Sequence, residues 1–349
     1  GLLDVVYKCT LCGACDVRCK RNLDLEVLLV LEGLRERCVR DGAGPLPQHR
    51  AVAQNIGRSH NRYGATRRKG KRISLAAKKA DVLYFVGCNH TYVQQETAQA
   101  TARVLEASGV AFALLEAEEW CCGHPLMAAG QWEMAQAQME HNLGAIARSG
   151  ASTVVTSCAE CYKTLKVDYP RMLRKSTEDM GYRVLHIVEH ARKSLEAGTL
   201  KFRKPVQMKV TYHDPCHLGR LSEPWSHWEG RRKEFGLVEP PKTYRRGSYG
   251  VYEPPRWVLG SIPGIEVVEM ERFREHAWCC GAGGGVRDAF QEFALWTAAE
   301  RLQEAERSGA EVVVTACPYC KENLGEAAKL AGDRVKVRDI TELMLQSLS

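Results

Sequence analysis

The sequence predicts an α/β fold with two pseudo-symmetric, Rossmann-like halves that carry parallel sheets, preceded by a small α-helical segment. Two observations predict this fold. The chain repeats itself after residue 80, and within each copy short apolar runs alternate with longer helical stretches. Strands that alternate with helices of this length favour a mostly parallel sheet. A content of 45% hydrophobic and 26% charged residues is ordinary for a globular protein of this size.

The N-terminal segment, residues 1–44, contains an apolar helical stretch from Leu25 to Val39. The stretch ends at Gly42-Ala-Gly-Pro45, a strong helix stop. Residues 45–80 are polar and basic, with five cations between Arg67 and Arg72, and we interpret them as a basic linker. No interleaved aromatic residues accompany these cations, so the sequence does not indicate a nucleic-acid partner.

Residues 81–200 and 201–349 form the two predicted halves, and three matched elements relate them. Their sequences are Asp81-Val-Leu-Tyr-Phe-Val-Gly-Cys88 with Lys209-Val-Thr-Tyr-His-Asp-Pro-Cys216, Glu119-Trp-Cys-Cys-Gly123 with Ala277-Trp-Cys-Cys-Gly281, and Thr153-Val-Val-Thr-Ser-Cys-Ala-Glu-Cys161 with Val312-Val-Val-Thr-Ala-Cys-Pro-Tyr-Cys320. The second half has an insert at about 222–250, which we expect to be a long loop.

Within the halves, apolar patterns predict individual elements. The predicted strands are 82–86, 153–156 and 311–315, and the predicted helices are 94–108, 132–149 and 288–308. Ligands of parallel sheets bind outside the carboxyl ends of the strands, and the cysteines follow those ends. The longest apolar run, Val27 to Leu31, is too short to cross a bilayer, so we expect a cytoplasmic protein that meets a membrane only through a partner subunit.

Cysteine is the most informative residue of the chain, because fourteen of the fifteen cysteines fall into three sets. Pairs of the types CxxC and CC favour metal ligation over disulfides, since adjacent cysteines bond to each other poorly. The remaining residue, Cys38, lies in an apolar helix and is expected to be a small core residue.

The first set is ferredoxin-like, with the spacing Cys9-x2-Cys12-x2-Cys15-x3-Cys19. Such a run supplies three thiolates to a [4Fe-4S] cubane cluster from one loop. Cys19 either completes this cluster or reaches a second cluster whose own run is absent here. Zinc is a weaker alternative, because structural zinc sites prefer two separated CxxC pairs.

The other two sets contain five cysteines each. They are Cys88, Cys121, Cys122, Cys158 and Cys161 in the first half, and Cys216, Cys279, Cys280, Cys317 and Cys320 in the second half. Five thiolates exceed the needs of a tetrahedral zinc ion and of an ordinary cubane. Each set therefore predicts an unusual cluster, or a cluster with a spare redox-active thiol.

The order Cys88, Cys121-Cys122-Gly123 and Cys158-x2-Cys161, followed by a second copy, resembles the CCG-domain (cysteine-rich domain) family. That family includes the catalytic subunits of heterodisulfide reductases, and the N-terminal run matches its fused ferredoxin–CCG type. The stretches from Tyr249 to Arg256 and from Trp278 to Val286 also resemble subunits of dissimilatory sulfite reductase-linked and class II benzoyl-CoA reductase complexes. The resemblance implies two noncubane [4Fe-4S] clusters that face each other across a pocket where a disulfide is split or formed.

The resemblance also implies a function. We expect an iron–sulfur redox subunit of an anaerobic multi-subunit oxidoreductase, which passes electrons from the cubane to the noncubane clusters for disulfide or thiol chemistry. Its expected partners are a flavoprotein, a ferredoxin-like protein or a membrane cytochrome subunit, and a disulfide or thiol substrate. The alternative is a pure electron-transfer relay without a substrate, which a buried second cluster without an open pocket would favour.

Some residues near the cysteines have predicted roles of their own. Cys216, Cys279, Cys280 and His217 are the candidate catalytic residues, with His217 as a proton donor; His124, His213 and His276 are also near the sets. Gly123, Gly281 and Gly283 are candidate cofactor-binding residues, because the backbone N–H groups of Gly281-Ala-Gly-Gly-Gly285 suit cluster sulfides better than a nucleotide. Trp120 and Trp278 are expected to shield the clusters from water.

Overall fold

The structure is a computed structural model that describes residues 1–18, 26–66, 73–74, 76–234 and 237–348. Cys19 and the five cations between Arg67 and Arg72 lie outside the described residues. No helix in the described part of the chain combines the length and the apolar character that crossing a membrane requires.

Four helices precede the first sheet. They are α1 (Leu2–Tyr7), α2 (Ala14–Arg18), α3 (Val27–Arg40) and α4 (Pro47–Ser59). Helix α3 occupies the predicted apolar stretch and ends just before Gly42, as the glycine and proline residues there indicate. Helix α4 lies within the segment that we interpreted as a linker, and it begins with Pro47 at its first turn, where a proline fits without loss of a hydrogen bond.

The first half alternates strands and helices. Its elements are β1 (Val82–Tyr84), α5 (Cys88–Tyr92), α6 (Gln95–Ala107), β2 (Phe112–Ala113), α7 (His124–Ala128), α8 (Trp132–Ser149), β3 (Thr153–Thr156), α9 (Ala159–Lys163), α10 (Tyr169–Met172), β4 (Arg183–His186) and α11 (Ile187–Glu196). The predicted helix 132–149 and strand 153–156 have the predicted bounds.

The second half has the same order of strands as the first, apart from two additional short strands of the insert. Its elements are β5 (Met208–His213), β6 (Arg231–Arg232), β7 (Val238–Glu239), α12 (Glu253–Gly260), β8 (Ile265–Val268), α13 (Val286–Ala289), α14 (Gln291–Arg307), β9 (Val312–Thr315), α15 (Pro318–Leu330), β10 (Lys336–Asp339) and α16 (Ile340–Ser347). The single helix predicted over 288–308 is wrong at its start, because Phe290 leaves the helical region with φ −140° and separates α13 from α14.

Two four-stranded, all-parallel sheets confirm the predicted fold class. The first has the order β2-β1-β3-β4 and the second the order β8-β5-β9-β10, so the halves share one topology. The central strands are apolar and fully buried, as in Val312–Thr315, because helices cover both faces of such sheets. Each set of five cysteines follows the carboxyl ends of three neighbouring strands, β2, β1 and β3 or β8, β5 and β9, and is thereby brought to one edge.

The insert contains the short antiparallel pair of β6 and β7. The backbone N–H of Thr177 donates to the carbonyl oxygen of Trp225 (2.8 Å), and Lys242 pairs with Glu26 at 2.6 Å. The insert therefore lies against the first half and the N-terminal segment.

Asp339, the last residue of β10, predicts a pH dependence of stability. Its Oδ1 accepts hydrogen bonds from the N–H and hydroxyl of Thr341 at the start of α16, and burial raises its pKa to about 6. Because this value exceeds the unfolded value of about 3.9, the folded protein retains the proton longer and its stability falls as pH rises. The wild type should be about 1 kcal/mol less stable at pH 8 than at pH 5.5 through this group. In Asp339→Asn that contribution should vanish in anaerobic denaturant titrations at the two pH values, and an unchanged pH difference would contradict it.

Candidate metal centres and the gap between them

The five cysteines of the first set converge, and all are buried. The thiol of Cys121 lies within hydrogen-bonding reach of Cys88 and of Cys122. Cys161 makes the same kind of contact with Cys122 and with Cys158. The set is thus one continuous group of sulfur atoms, assembled from the start of α5, the loop before α7 and the start of α9.

The second set repeats this arrangement. Cys279 lies within hydrogen-bonding reach of Cys216 and Cys280, and Cys320 within reach of Cys280 and Cys317. Cys279 is half-buried, whereas the other four cysteines are buried. The predicted catalytic cysteines Cys216, Cys279 and Cys280 are therefore brought together in the structure.

The second cysteine of each CC pair lies in the middle of its set, in contact with a thiol on either side, and has a lowered pKa. Hydrogen bonds from neighbouring thiols lower the pKa of Cys122 well below its usual range and that of Cys280 to about 5. Burial raises the pKa of the peripheral Cys158 to about 11. Five converging soft sulfur donors per set fit an iron–sulfur cluster, whereas a tetrahedral zinc ion would leave one thiol unused.

The N-terminal cysteine run is in direct contact with the second set. Cys12 lies within hydrogen-bonding reach of Cys279. Burial raises the pKa of the Cys9 thiol, and the nearby Cys279 adds to this shift. Cys9, Cys12 and Cys15 are half-buried, and the backbone N–H of Leu11 donates to the Sγ of Cys9 (3.4 Å). The sequence did not indicate which of the two sets the N-terminal run would face.

Two buried arginines stabilise the junction, by which we mean the contact between the N-terminal cysteine run and the second five-cysteine set. The sequence patterns identified neither arginine. Arg35 of α3 donates to the carbonyl oxygens of Cys9 (2.5 Å), Ala128 (2.6 Å) and Gly284 (2.6 Å), and so joins the N-terminal run to both halves. Arg220 donates to the carbonyl oxygen of Cys12 (2.6 Å) and, on its other side, to that of Ala277 (2.8 Å), two residues before Cys279.

The glycine loop of the second half, residues 281–285, packs against the N-terminal cysteine run at the same junction. The backbone N–H of Gly281, one of the predicted cofactor-binding glycines, donates to the Sγ of Cys279 (3.3 Å). A Cβ atom at Gly283 would lie 2.7 Å from the carbonyl oxygen of Thr10, and one at Gly284 would lie 2.6 Å from that of Cys9. The glycines therefore also permit the close approach of the N-terminal run. Gly123 is the matching left-handed residue before α7 in the first half.

Polar side chains from both halves meet between the two sets. The rings of His124 and His217 pack edge to face at 4.6 Å, and Glu160 lies within 4.8 Å of a nitrogen of each. The Nδ1 atom of His217, the predicted proton donor, lies 3.4 Å from the Sγ of Cys216. Burial raises the pKa of Glu160 to about 8 and lowers that of His124 to about 3. Burial also lowers the pKa of His217 well below its usual range, so all three groups are held in or near their neutral forms.

An arm formed by α4 and the turn after it closes this gap. The ring of His49 lies 2.9 Å from the carbonyl oxygen of Gly285, and Arg62 pairs with Asp288 at 2.6 Å. Beneath the arm is a cavity of about 20 Å³, lined by His124, Glu160 and the glycine loop among others. This volume suits about one water molecule. No residue of the insert lines the cavity, so the arm, and not the insert, covers the gap in the described chain.

The two tryptophans beside the CC pairs differ in exposure. Trp120 is stacked between the rings of His60 (3.5 Å) and His141 (3.6 Å), whereas Trp278 is 37% exposed and has one face against Arg272 (3.6 Å). His276 is half-exposed beside Glu275 and lies outside the convergent groups.

Comparison with known proteins finds the same domain family in both halves of the chain. The profile of the Cysteine-rich domain (CCG) family matches residues 82–166 and 242–325. A component of the dihydromethanophenazine:CoB–CoM heterodisulfide reductase of Methanosarcina barkeri is 34% identical over 99% of this chain and 78% of its own length. A component of the fumarate reductase (CoM/CoB) of Methanothermobacter marburgensis is 32% identical over 99% of this chain and 62% of its own length. An iron–sulfur protein of Methanococcus maripaludis is 30% identical over 92% of this chain and 57% of its own length.

Proposed function

Because the chain belongs to the cysteine-rich (CCG) domain family of iron–sulfur oxidoreductase subunits, we propose that it passes electrons from an N-terminal cubane cluster to two noncubane clusters for disulfide or thiol chemistry. The observation that carries this proposal is the continuous path of sulfur atoms from Cys12 to Cys279 and through the second set. Electrons that arrive at the N-terminal run thus reach the second set first, and the first set lies beyond the gap.

The proposed cofactors are one [4Fe-4S] cubane and two noncubane [4Fe-4S] clusters. The cubane would be held by Cys9, Cys12 and Cys15, with Cys19 as the fourth ligand. Each five-cysteine set would hold one noncubane cluster, which supplies and accepts single electrons when bound. Cys158 of the first set lies close enough to Cys317 of the second set for their charges to interact. This closeness supports a face-to-face arrangement of the two sets.

The proposed substrate is a disulfide, which takes up two electrons and two protons to give two thiols. Cys216, Cys279 and Cys280 of the electron-accepting second set are the proposed catalytic cysteines. His217, with Nδ1 3.4 Å from the Sγ of Cys216, passes a proton to a sulfur atom there as a neutral imidazole, which releases the proton of one ring nitrogen and takes up another at its second nitrogen. Glu160, whose raised pKa of about 8 keeps its carboxyl group largely protonated, has a carboxyl oxygen within 4.8 Å of a ring nitrogen of His217 and is the group that replaces this proton. Names of the relatives that specify a heterodisulfide reductase support this choice of substrate.

A second candidate function is a relay without a substrate of its own. The cavity of about 20 Å³ favours it, because no disulfide with organic substituents fits into that volume. The two functions therefore differ in one physical requirement: disulfide chemistry requires the arm of α4 to move away from the gap, and a relay does not.

Electron paramagnetic resonance (EPR) of the loaded protein separates these functions. The anaerobic protein is oxidised and then exposed to coenzyme-type thiols, and the reduced protein to the corresponding mixed disulfide. A new or shifted signal of a noncubane cluster that depends on thiol concentration supports disulfide chemistry. If all clusters are present and neither the thiols nor the mixed disulfide changes their EPR signals, the result supports the relay function.

The ion pair that closes the arm provides a further prediction. Replacing Arg62 with methionine removes the 2.6 Å contact to Asp288 and should loosen the arm over the gap. We expect the response of the EPR signal to a disulfide to become several-fold faster, because access to the gap would limit the wild type. Arg58→Met, which changes an exposed cation of the same arm, is the matched control. Equal rates for the two variants would contradict a gating role of the arm.

The proposed electron donor is another redox subunit, of the flavoprotein, ferredoxin-like or membrane cytochrome type. Relatives whose names describe them as subunits of larger oxidoreductases support this. We propose that the chain is cytoplasmic, belongs to an anaerobic complex and meets a membrane only through such a partner.

A further inference from the structure

His213 distinguishes the second five-cysteine set from the first. It is the last residue of β5, and the repeat places Phe85 at the matching position of the first half. A ring nitrogen of His213 lies within 4.8 Å of the Sγ atoms of Cys280 and Cys320. Its side chain is buried at 1% exposure, so it faces the sulfur atoms without intervening bulk solvent.

The hydrogen bonds of His213 define which nitrogen carries its proton. The Nε–H of Arg301 donates to the Nδ1 of His213 (3.2 Å), and Arg301 is itself held by Glu304 (2.5 Å). Arginine offers donors only, so Nδ1 has to be the acceptor of this bond. The imidazole is then neutral with its proton on Nε2. That Nε2 atom is buried and has no hydrogen-bond partner among the described residues.

We propose that the Nε2–H of His213 donates a hydrogen bond to a thiolate or sulfide of the cluster at the second set and raises the reduction potential of that cluster above that of the first. This inference rests on the proposed clusters. A donor to cluster sulfur stabilises the more negative, reduced form, and such bonds are an established means of setting the potential of a cluster. His213 acts as a positioning and tuning residue, and Arg301 acts through it by fixing the tautomer.

The asymmetry has a consequence for electron flow. Phe85 offers no donor at the first set, so electrons from the N-terminal run would reside preferentially at the second set. Single electrons would then accumulate where Cys216 and His217 lie, next to the gap.

The test is a potentiometric EPR titration of the loaded full chain. His213→Phe copies the residue of the first half and should disfavour the reduced second cluster about tenfold, or about 59 mV for one electron. The potentials of the N-terminal and first-half clusters should stay unchanged and serve as internal controls. His213→Gln keeps an N–H donor and should recover part of the shift.

Pulsed EPR of protein labelled with ¹⁵N-histidine tests the same bond directly. The wild type should show a weak coupling to the second cluster that disappears in His213→Phe, whereas any coupling from His217, which lies at Cys216, should remain. Absence of the His213-dependent coupling, or a strong coupling typical of direct iron ligation, would overturn the proposal. A loaded second cluster whose potential does not move in His213→Phe would overturn this inference alone. A second set that binds no iron would overturn the cluster assignment, and the inference with it.

Discussion

Replacing Arg35 with alanine is expected to lower the free energy of unfolding by about 4 kcal/mol. The guanidinium of Arg35 is fully buried and donates five hydrogen bonds to four carbonyl oxygens, those of Val6, Cys9, Ala128 and Gly284. Without it, these acceptors would remain in a buried, low-dielectric region without their charged donor. The four acceptors belong to the N-terminal segment and to both halves, so the loss would separate the N-terminal run from the second set.

Arg37→Ala is the matched control for Arg35→Ala. Arg37 lies on the same helix, its side chain is 63% exposed, and it pairs with Asp41 across one turn, so its loss should change stability by less than about 0.5 kcal/mol. Anaerobic denaturant titrations of both variants measure the difference. A stability loss in Arg35→Ala no larger than that in Arg37→Ala would show that the buried junction is not held as described.

The double variant Cys279→Ser, Cys280→Ser should abolish electron transfer beyond the N-terminal cluster. It removes the residue in contact with Cys12 and the central cysteine of the second set. Iron should fall from about 12 to about 8 atoms per chain, because one four-iron cluster is lost. The first-set cluster should then remain oxidised when a one-electron donor reduces the N-terminal cluster.

The corresponding variant of the first half, Cys121→Ser, Cys122→Ser, separates loss of a cluster from loss of the path. It should lose the same amount of iron, yet its second cluster should still be reduced at the wild-type rate. Rapid-freeze EPR of the two variants provides the comparison. Reduction of the first-set cluster at an undiminished rate in the second-half variant would contradict the proposed order of electron transfer.

The sequence predicts the parts of this fold that depend on local pattern and on repetition. The helix over Trp132–Ser149 and the strand over Thr153–Thr156 follow from an apolar periodicity that ends at glycine or at cysteine. The outer strands β2 and β4 were not predicted. Strand β2 has two residues and is a strand because it pairs with β1. No local sequence pattern reveals such a pairing.

The candidate site could be predicted in its composition but not in its connections. The spacing of the cysteines indicates which residues converge, because the cysteines of each five-cysteine set follow strands of one sheet, whose carboxyl ends share an edge. Arg35 and Arg220 were missed, because a single arginine on a helix or loop resembles a solvated residue until the docking of distant segments buries it. The same docking decides that the N-terminal run faces Cys279 and not the first set.

Iron, acid-labile sulfide and zinc per chain, measured on one anaerobically purified sample of the full chain, test the central claim most directly. Three four-iron clusters predict about 12 iron atoms and about 12 sulfides with little zinc. About 4 iron atoms, with zinc in the five-cysteine sets, would contradict the claim, because the sulfur path through the second set would then contain a metal that cannot change its oxidation state.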